Sequence, residues 1–594
     1  MKLSISVFFF FIVIVCTGQT IPSGRTFNWA NSGYQGNYLR NATVVDFLTV
    51  GGVNDGLTDN SAALQNAIST SVKPVVIYFP AGNYLFNSSI ILPDSTILRG
   101  ATADSTNLLF DFSGAVGNGI NISGNTGSAF TNVTSGAERF SYSVVVDDAA
   151  SFSVGDYAEI LQTNGTWDTQ PVSWADNSVG QIVRIASISS NTLTFDETLR
   201  INYDYSLNPR IRKITPRIQV GLECLKIERL DDVAVGVCFN VNLSYAAQCW
   251  ITGVEIGTSI GSHIEIDAST NITVSRCYIH DNFAYDGTST HGYGITLFGH
   301  TGQCRIENNI LRHLRHSFSL QCGANGNVVA YNYSTEPNRS EFPADFGADI
   351  SMHGHFSYAN LFEGNIVQNI QIDQTWGPSG PLNTFFRNRA ELYGILMTSG
   401  TVQSDSINFV GNEVSNTGTF LGNYSLAGSG HFEFANNIRG TITPSGTIPL
   451  PDTSYYLDSI PEFWTSSIFP TIGDPNPIGS GSIPAKDRFN SGAYLAPCVE
   501  NVNTAIAENI SERLIEVYPN PFTSELNIKT ELNSTEKISI GIFDLQGRLV
   551  FRKDNATVNN KNEIQISTKD LSEGMYYLRI ESERNFYDQK IIKN

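Results

Sequence analysis

Nine histidines occur in 594 residues, and eight of them, His263 to His355, fall within 93 positions. Two sit in "DISMHGHF", Asp349 to Phe356, one glycine apart and following an aspartate. A carboxylate beside an imidazole fixes its tautomer and raises its basicity, which suits a general acid or base. His353 and His355 on one strand face would also offer two ligands to a metal, though Asp349 is too far along the strand to join them on one ion. Arginines thread the same region: Arg312 and Arg315 in "LRHLRHS", then Arg339, then Arg387 and Arg389 in "FFRNRAEL". Guanidinium groups bind carboxylate or sulfate through paired hydrogen bonds. Tyr293 and Trp376 add rings on which a sugar can stack. Each residue alone has a bland reading, as a surface salt bridge to Glu336, Glu341 or Glu391, a solvated His–Asp pair, or a packed ring. Their concentration is what points to chemistry.

The elements that must position them are short. Charged residues make up 15% of the chain and hydrophobic residues 41%, and Asn, Ser, Thr and Gly abound, a mixture that favours strands and turns over charged helices. A net charge of −20 argues against binding to nucleic acid or anionic membrane. Lys2 and the apolar run Val7 to Val15 predict an export signal over residues 1–18. Seven further cysteines, Cys224, Cys238, Cys249, Cys277, Cys304, Cys322 and Cys498, form no disulfide pattern and no zinc spacing, so buried free thiols are expected.

"DFLTVGGVNDGLTDNSAALQNAI" (Asp46 to Ile68) reads as a strand, a turn, and a helix capped by Asp59 or Asn60. "VVIYFPAGNYLF" and "IILPDSTILRG" follow as short strands. These residues resemble the entry of the pectate-lyase-like superfamily of right-handed parallel β-helices. The resemblance implies an all-β solenoid with an N-terminal capping helix, in a secreted carbohydrate-active enzyme. An internal period agrees: Gly253, Cys277, Asn309, Asn332, Asn365, Asn388, Asn412 and Asn436 are spaced by 24, 32, 23, 33, 23, 24 and 24 residues. The two long gaps hold insertions, Phe283 to Gly294 and Glu336 to Asp349, expected to bulge as loops on the binding face. Residues 136–203 read as an antiparallel insertion whose loop "TNGTWDTQPVSWADN" leans over the solenoid. Near the end, "YPNPF", "GIFDLQGRLV" and "LSEGMYYLRI" resemble the C-terminal sorting domain of type IX secretion systems. That implies a sandwich-like domain at 515–594, a linker at 498–514, a solenoid over 19–497, and delivery by the secretion machinery to the outer cell surface or beyond.

Aligned on the coil period, the strand centres are Ile295-Thr296-Leu297, Phe318-Ser319-Leu320, Ile350-Ser351-Met352, Ile370-Gln371-Ile372 and Ile395-Leu396-Met397. Alternation then places Asp349, Ser351, His353 and His355 outward and Ile350, Met352 and Phe356 inward. His353 gains Gln321 and Asp373 as neighbours on adjacent coils. The expected catalytic set is His353, Asp373, Asp349, Arg315 and Tyr293. The expected substrate contacts are His291, His313, Arg312, Gln321, Arg339, His355, Trp376, Arg387 and Arg389. No cofactor is assigned. For a cation, calcium through Asp345, Asp349 or Asp373 suits these oxygens better than a transition metal.

The residue types favour a monomeric lyase cleaving a uronate-containing or sulfated polysaccharide by β-elimination, with His353 or Tyr293 as base and Arg315 and Arg387 as charge neutralisers. A glycoside hydrolase of the same fold, using Asp349 and Asp373, is the alternative. A non-catalytic carbohydrate-binding solenoid is disfavoured, because it needs no such concentration of His, Arg and Asp.

Overall fold

The computed structural model describes residues 19–36, 42–127, 129–233, 236–466 and 468–497. Within 516–593 it describes all but 530–537, 544–548, 557–562, 570, 573 and 583–585. The expected export signal, the linker and Cys498 lie outside the described residues. The chain divides into two compact units, Met1–Val499 and Glu500–Asn594.

In the first unit, short strands stack coil on coil into a parallel β-helix. One ladder runs from Thr43–Asp46 through Val75–Phe79, Thr96–Gly100 and Gly221–Glu223 to Phe432–Phe434. A second climbs through Ile120–Ser123, Val241–Ser244, Ile264–Asp267, Tyr293–Phe298, His316–Leu320, Ala348–Met352, Ile366–Ile372 and Arg389–Met397. A third includes Gly82–Phe86, Tyr278–His280, Ile310–Arg312 and Tyr333–Thr335. In the second ladder Ile295, Phe318, Ile350, Ile370 and Ile395 pair in succession, the register expected from the coil period. All five are buried in one continuous core. Period-two alternation therefore leaves their polar neighbours on the outer face.

The helix Ser61–Thr70 caps the solenoid's start, burying Leu64, Ala67 and Ile68. Asp59 accepts from the Ser61 backbone at 3.0 Å, while the Asn60 amide ties the turn to Val53, Thr58 and Leu85. Inside the coils Asn309, Asn332, Asn365, Asn388, Asn412 and Asn436 form a fully buried ladder, each Nδ2 donating to the next Oδ1 at 2.8–3.1 Å. A parallel ladder, Asn327, Asn360 and Asn383, stands at another corner. These amides satisfy backbone groups that turning strands leave bare.

The antiparallel insertion is wider than expected. Thr131–Ser135, Ser143–Val146, Tyr157–Gln162, Val179–Ser189, Thr192–Phe195 and Arg210–Ile214 close a barrel with its own core. The first and last strands of the barrel in chain order were not legible in the sequence because they hold only one or two buried apolar residues each. The barrel is docked on the solenoid: His300 reaches Glu159 Oε1 at 2.9 Å, and Arg200 donates to Asn325 Oδ1 at 2.8 Å.

Cys238, Cys249, Cys277, Cys304 and Cys322 are buried free thiols, but Cys224 is disulfide-bonded, which corrects the expectation for that residue. In the second unit Glu516–Tyr518, Glu525–Lys529 and Glu563–Ser567 form one antiparallel sheet. Ile538–Phe543, Leu549–Ala556, Gly574–Ser582 and Phe586–Lys593 form another. The two share a core that includes Leu526, Ile542, Ile566 and Leu578.

Candidate active site

The outer face of the second ladder carries a chain of polar contacts across four coils. Pairing of Ser351 with Gln371 and Met352 with Ile372 brings His353 beside Asp373, Nδ1 to Oδ2 at 3.0 Å. On its other side His353 Nε2 lies 3.3 Å from Tyr293 Oη. Arg315 Nη2 donates to that same phenol oxygen at 3.0 Å, with its guanidinium 5.0 Å from the ring centre. The insertion after Tyr278–His280 fixes Arg315, whose Nη1 donates to the Asp286 carbonyl at 2.8 Å. The two insertions brace each other through the Gly287 amide and Glu341 at 3.0 Å.

The electrostatics are asymmetric. Burial alone would raise the Asp373 carboxyl, but contact with His353 and Thr375 holds it well below the usual carboxylate range. The Asp373 carboxylate lies within ion-pair distance of Nδ1 but outside hydrogen-bond geometry, and Nε2 faces the Tyr293 phenol. Burial pushes the Tyr293 phenol up, against the pull of Arg315, so it keeps its proton. His316 stacks edge-on against Tyr293 at 4.7 Å, and its Nδ1–H donates to the Ala348 carbonyl. Burial, Arg315 and His353 together push its imidazole well down, so it is neutral. His353 and Asp373 are the open end of the chain, with side chains 14% and 17% exposed.

Gln321, expected on the outer face one coil from His353, follows Leu320, the partner of Met352, and is buried. Other expected residues stand elsewhere. Asp349 is not available for catalysis: Ser334 donates to one oxygen at 2.5 Å, and the amides of Gln368 and Asn369 to the other. It is fully buried, and desolvation raises it to about 6. His355 does not share the His353 strand face, because the strand ends at Met352 and Gly354 turns the chain at φ +82°. Phe356 points outward to pack on Trp167 at 4.7 Å, not into the solenoid. Arg387 is spent on carbonyls of Leu450, Asp452, Ile472 and Asp474. Arg389 pairs with Glu413 at 2.6 Å and with carbonyls of Ser480 and Gly481. Both arginines anchor residues 450–481 and do not reach His353. Arg312 pairs with Glu336, Arg339 caps carbonyls of its own loop, His291 pairs with Asp286, and His313 contacts Asn338. The acids considered for calcium are not brought together: Asp345 accepts from Tyr393, Asp349 from amides, and Asp373 faces His353. Among the described residues there is no group of three His, Cys, Asp or Glu that could hold a metal.

Two carboxylates on the same face escaped the sequence reading. Glu265 and Asp267 lie outward on Ile264–Asp267, with Glu265 next to Thr296 on the following coil. Burial raises Glu265 to about 8, against help from Ser262 and Thr296, and its Oε2 has no hydrogen-bond partner. Burial raises Asp267 to about 6. The pattern "IEID" has the same apolar-x-apolar centre as the aligned strands, one coil earlier. Extending the alignment by that coil would have found it.

The loop of the barrel reaches the same face. Trp174 lies 4.9 Å from the His355 ring, 5.9 Å from Trp376 and 6.0 Å from Phe298.

Comparison with known proteins agrees with this architecture. Residues 44–309 match the family described as "Rhamnogalacturonase A/epimerase, pectate lyase-like", and residues 516–594 the "Secretion system C-terminal sorting domain". The chain is 22% identical over 362 residues to a capsule K1-specific depolymerase of Klebsiella phage K64-1, covering 58% of this chain and 37% of that protein. It is 22% identical over 404 residues to a pre-neck appendage protein of Bacillus phage B103, covering 65% and 44%. The chain thus spans less than half the length of these curated relatives. Among solved structures, the tailspike protein gp49 of Pseudomonas phage LKA1 matches with a TM-score of 0.47 and 14% identity, over 63% of this chain and 64% of that one. The sorting domain marks the chain for type IX secretion to the extracellular space or outer cell surface. The chain therefore carries a parallel β-helix whose residues 44–309 resemble the pectate-lyase-like family, and residues 516–594 that resemble a secretion system C-terminal sorting domain.

Proposed function

We propose that the protein is a secreted polysaccharide lyase acting on a uronate-containing polymer by β-elimination. The observation that carries this reading is the 3.3 Å approach of His353 Nε2 to Tyr293 Oη, with Asp373 behind one group and Arg315 behind the other. Elimination needs a base for the proton on the carbon next to the carboxylate, and an acid for the departing glycosidic oxygen. For a syn arrangement these must stand side by side. His353 Nε2 takes the proton, the electron pair of that C–H bond forms the new C=C bond, the C–O bond breaks, and Tyr293 Oη gives its proton to the leaving oxygen. Imidazolium and phenolate then neutralise each other across the same short gap, which resets the pair. Arg315 opposes the negative charge that develops on the phenol oxygen and on the substrate carboxylate. The family match, the export address and the phage depolymerase relative support a polysaccharide as substrate.

Purified protein incubated with polygalacturonate or alginate is expected to release unsaturated products, read by their ultraviolet absorbance, and to leave a neutral glucan untouched. His353→Ala is expected to lower kcat by about 10²–10⁴-fold, the usual contribution of a positioned acid or base. Tyr293→Phe is expected to lower it comparably while leaving KM nearly unchanged. Full activity in His353→Ala would overturn the assignment.

One observation favours a second reading. Glu265 and Asp267 are carboxyls raised by burial, two residues apart and so on one face of the strand, the residue types that a glycoside hydrolase requires. New reducing ends without unsaturated product, abolished by Glu265→Gln, would select it.

A further inference from the structure

The barrel insertion and the solenoid meet in an aromatic cluster that the catalytic chain does not use. Trp174 comes from the barrel loop, and Trp376 from the turn that follows Asp373. The Trp376 carbonyl packs under Gly354, the residue next to His353. His355 completes a triangle with the two indoles, edge-on to Trp174 at 4.9 Å and tilted 29° from the plane of Trp376 at 6.3 Å, while the indoles meet edge to face at 5.9 Å. Trp174 is 48% exposed and Trp376 half-buried, so a polar ligand can reach their faces. His355 is fully buried, yet neither ring nitrogen has a hydrogen-bond partner. A buried, unpaired imidazole costs free energy unless something completes it. An indole face together with an unsatisfied polar group is what a pyranose ring meets, through its C–H face and its hydroxyls.

We infer that Trp174 and Trp376 form a sugar-stacking subsite beside the His353–Asp373 pair, with His355 hydrogen-bonding a hydroxyl of the bound ring. The ligand class is an oligosaccharide longer than the unit being cleaved. On this assignment the barrel is a specificity element, because it supplies Trp174, the more exposed of the two rings. The inference rests on the reading of the protein as a polysaccharide-binding enzyme, but not on the elimination chemistry.

The test is a titration of indole fluorescence in the His353→Ala protein with polygalacturonate and alginate oligosaccharides and with cello-oligosaccharides, so that binding is read without turnover. At least one probe is expected to saturate. Trp174→Ala in that background is expected to weaken its Kd about 10-fold, a loss of about 1.4 kcal/mol. Trp174→Phe is expected to recover most of the affinity, which separates lost stacking from a misfolded loop. His355→Phe keeps a ring but removes both nitrogens, and is expected to weaken binding at least threefold. Trp174→Ala binding as tightly as its parent, or no saturation with any probe, overturns the subsite. If these shifts appear while wild-type protein yields no unsaturated product, the subsite stands and the lyase assignment falls. If product forms and Trp174→Ala is silent, the reverse holds.

Discussion

At the scale of single residues, a protonation cost is built into the outer face of the second ladder. Glu265 is 8% exposed and raised to about 8, whereas an unfolded glutamate titrates near 4.3. Between those pH values the native state holds a proton that the unfolded state has released, so stability falls as pH rises through that window. Glu265→Gln removes this slope. The variant is expected to match wild type near pH 4 and to gain stability progressively toward pH 8, by a few kcal/mol at most. Denaturant midpoints measured at several pH values check the sign, and an equal gain at all pH values would refute it. The same face shows what a sequence can and cannot disclose about a site. His353, Asp373 and Gln321 came together because coil period and strand alternation are enough to place them. Asp349 was expected to face solvent, but Ser334 and the amides of Gln368 and Asn369 enclose its carboxylate, contacts from other strands that alternation along one strand does not disclose. His355 was misplaced by a single glycine: a Gly within a strand pattern is a breaker, and here it turns the chain at positive φ.

At the scale of elements, the coil-to-coil register is held by amides. Asn365 Oδ1 accepts from both the backbone and the side chain of Asn332, at 3.0 Å each. Asn365→Ala would leave two buried donors bare, and at about 1–3 kcal/mol for each unsatisfied group a loss of about 2–6 kcal/mol is expected. Chemical denaturation of the solenoid unit measures it. A loss below about 1 kcal/mol would mean that water or a shifted strand replaces the acceptor. The spacing of these asparagines disclosed the solenoid. The second ladder of Asn327, Asn360 and Asn383 obeys the same long–short rhythm, with steps of 33 and 23 residues. It was overlooked because only one column was followed. The barrel's limits were harder to see. An inserted element with its own period interrupts the coil count, so its weakest strands look like loops.

At the scale of the whole solenoid, residues 20–34 act as a strap along its flank. Thr20 bonds Asp452, Ile21 bonds Tyr455, Arg25 bonds Asn408, Trp29 bonds the Ala359 carbonyl, and Tyr34 bonds Thr273. Trp29 is fully buried among residues 330 positions away in sequence. Trp29→Ala is expected to destabilise the unit by about 3–5 kcal/mol, the usual cost of emptying a large buried aromatic site. Unfolding midpoints read it directly, and a shift worth under 1 kcal/mol would show that the strap merely lies on the coils.

The direction of that strap sets a timetable. Its earliest residues meet the latest coils, and later strap residues meet progressively earlier ones. The ribosome therefore delivers the fastener long before the rungs it must fasten. Each bond waits for hundreds of intervening residues to stack, so closure runs from Tyr34 back toward Thr20 as the coils accumulate. Contacts this distant in sequence slow folding.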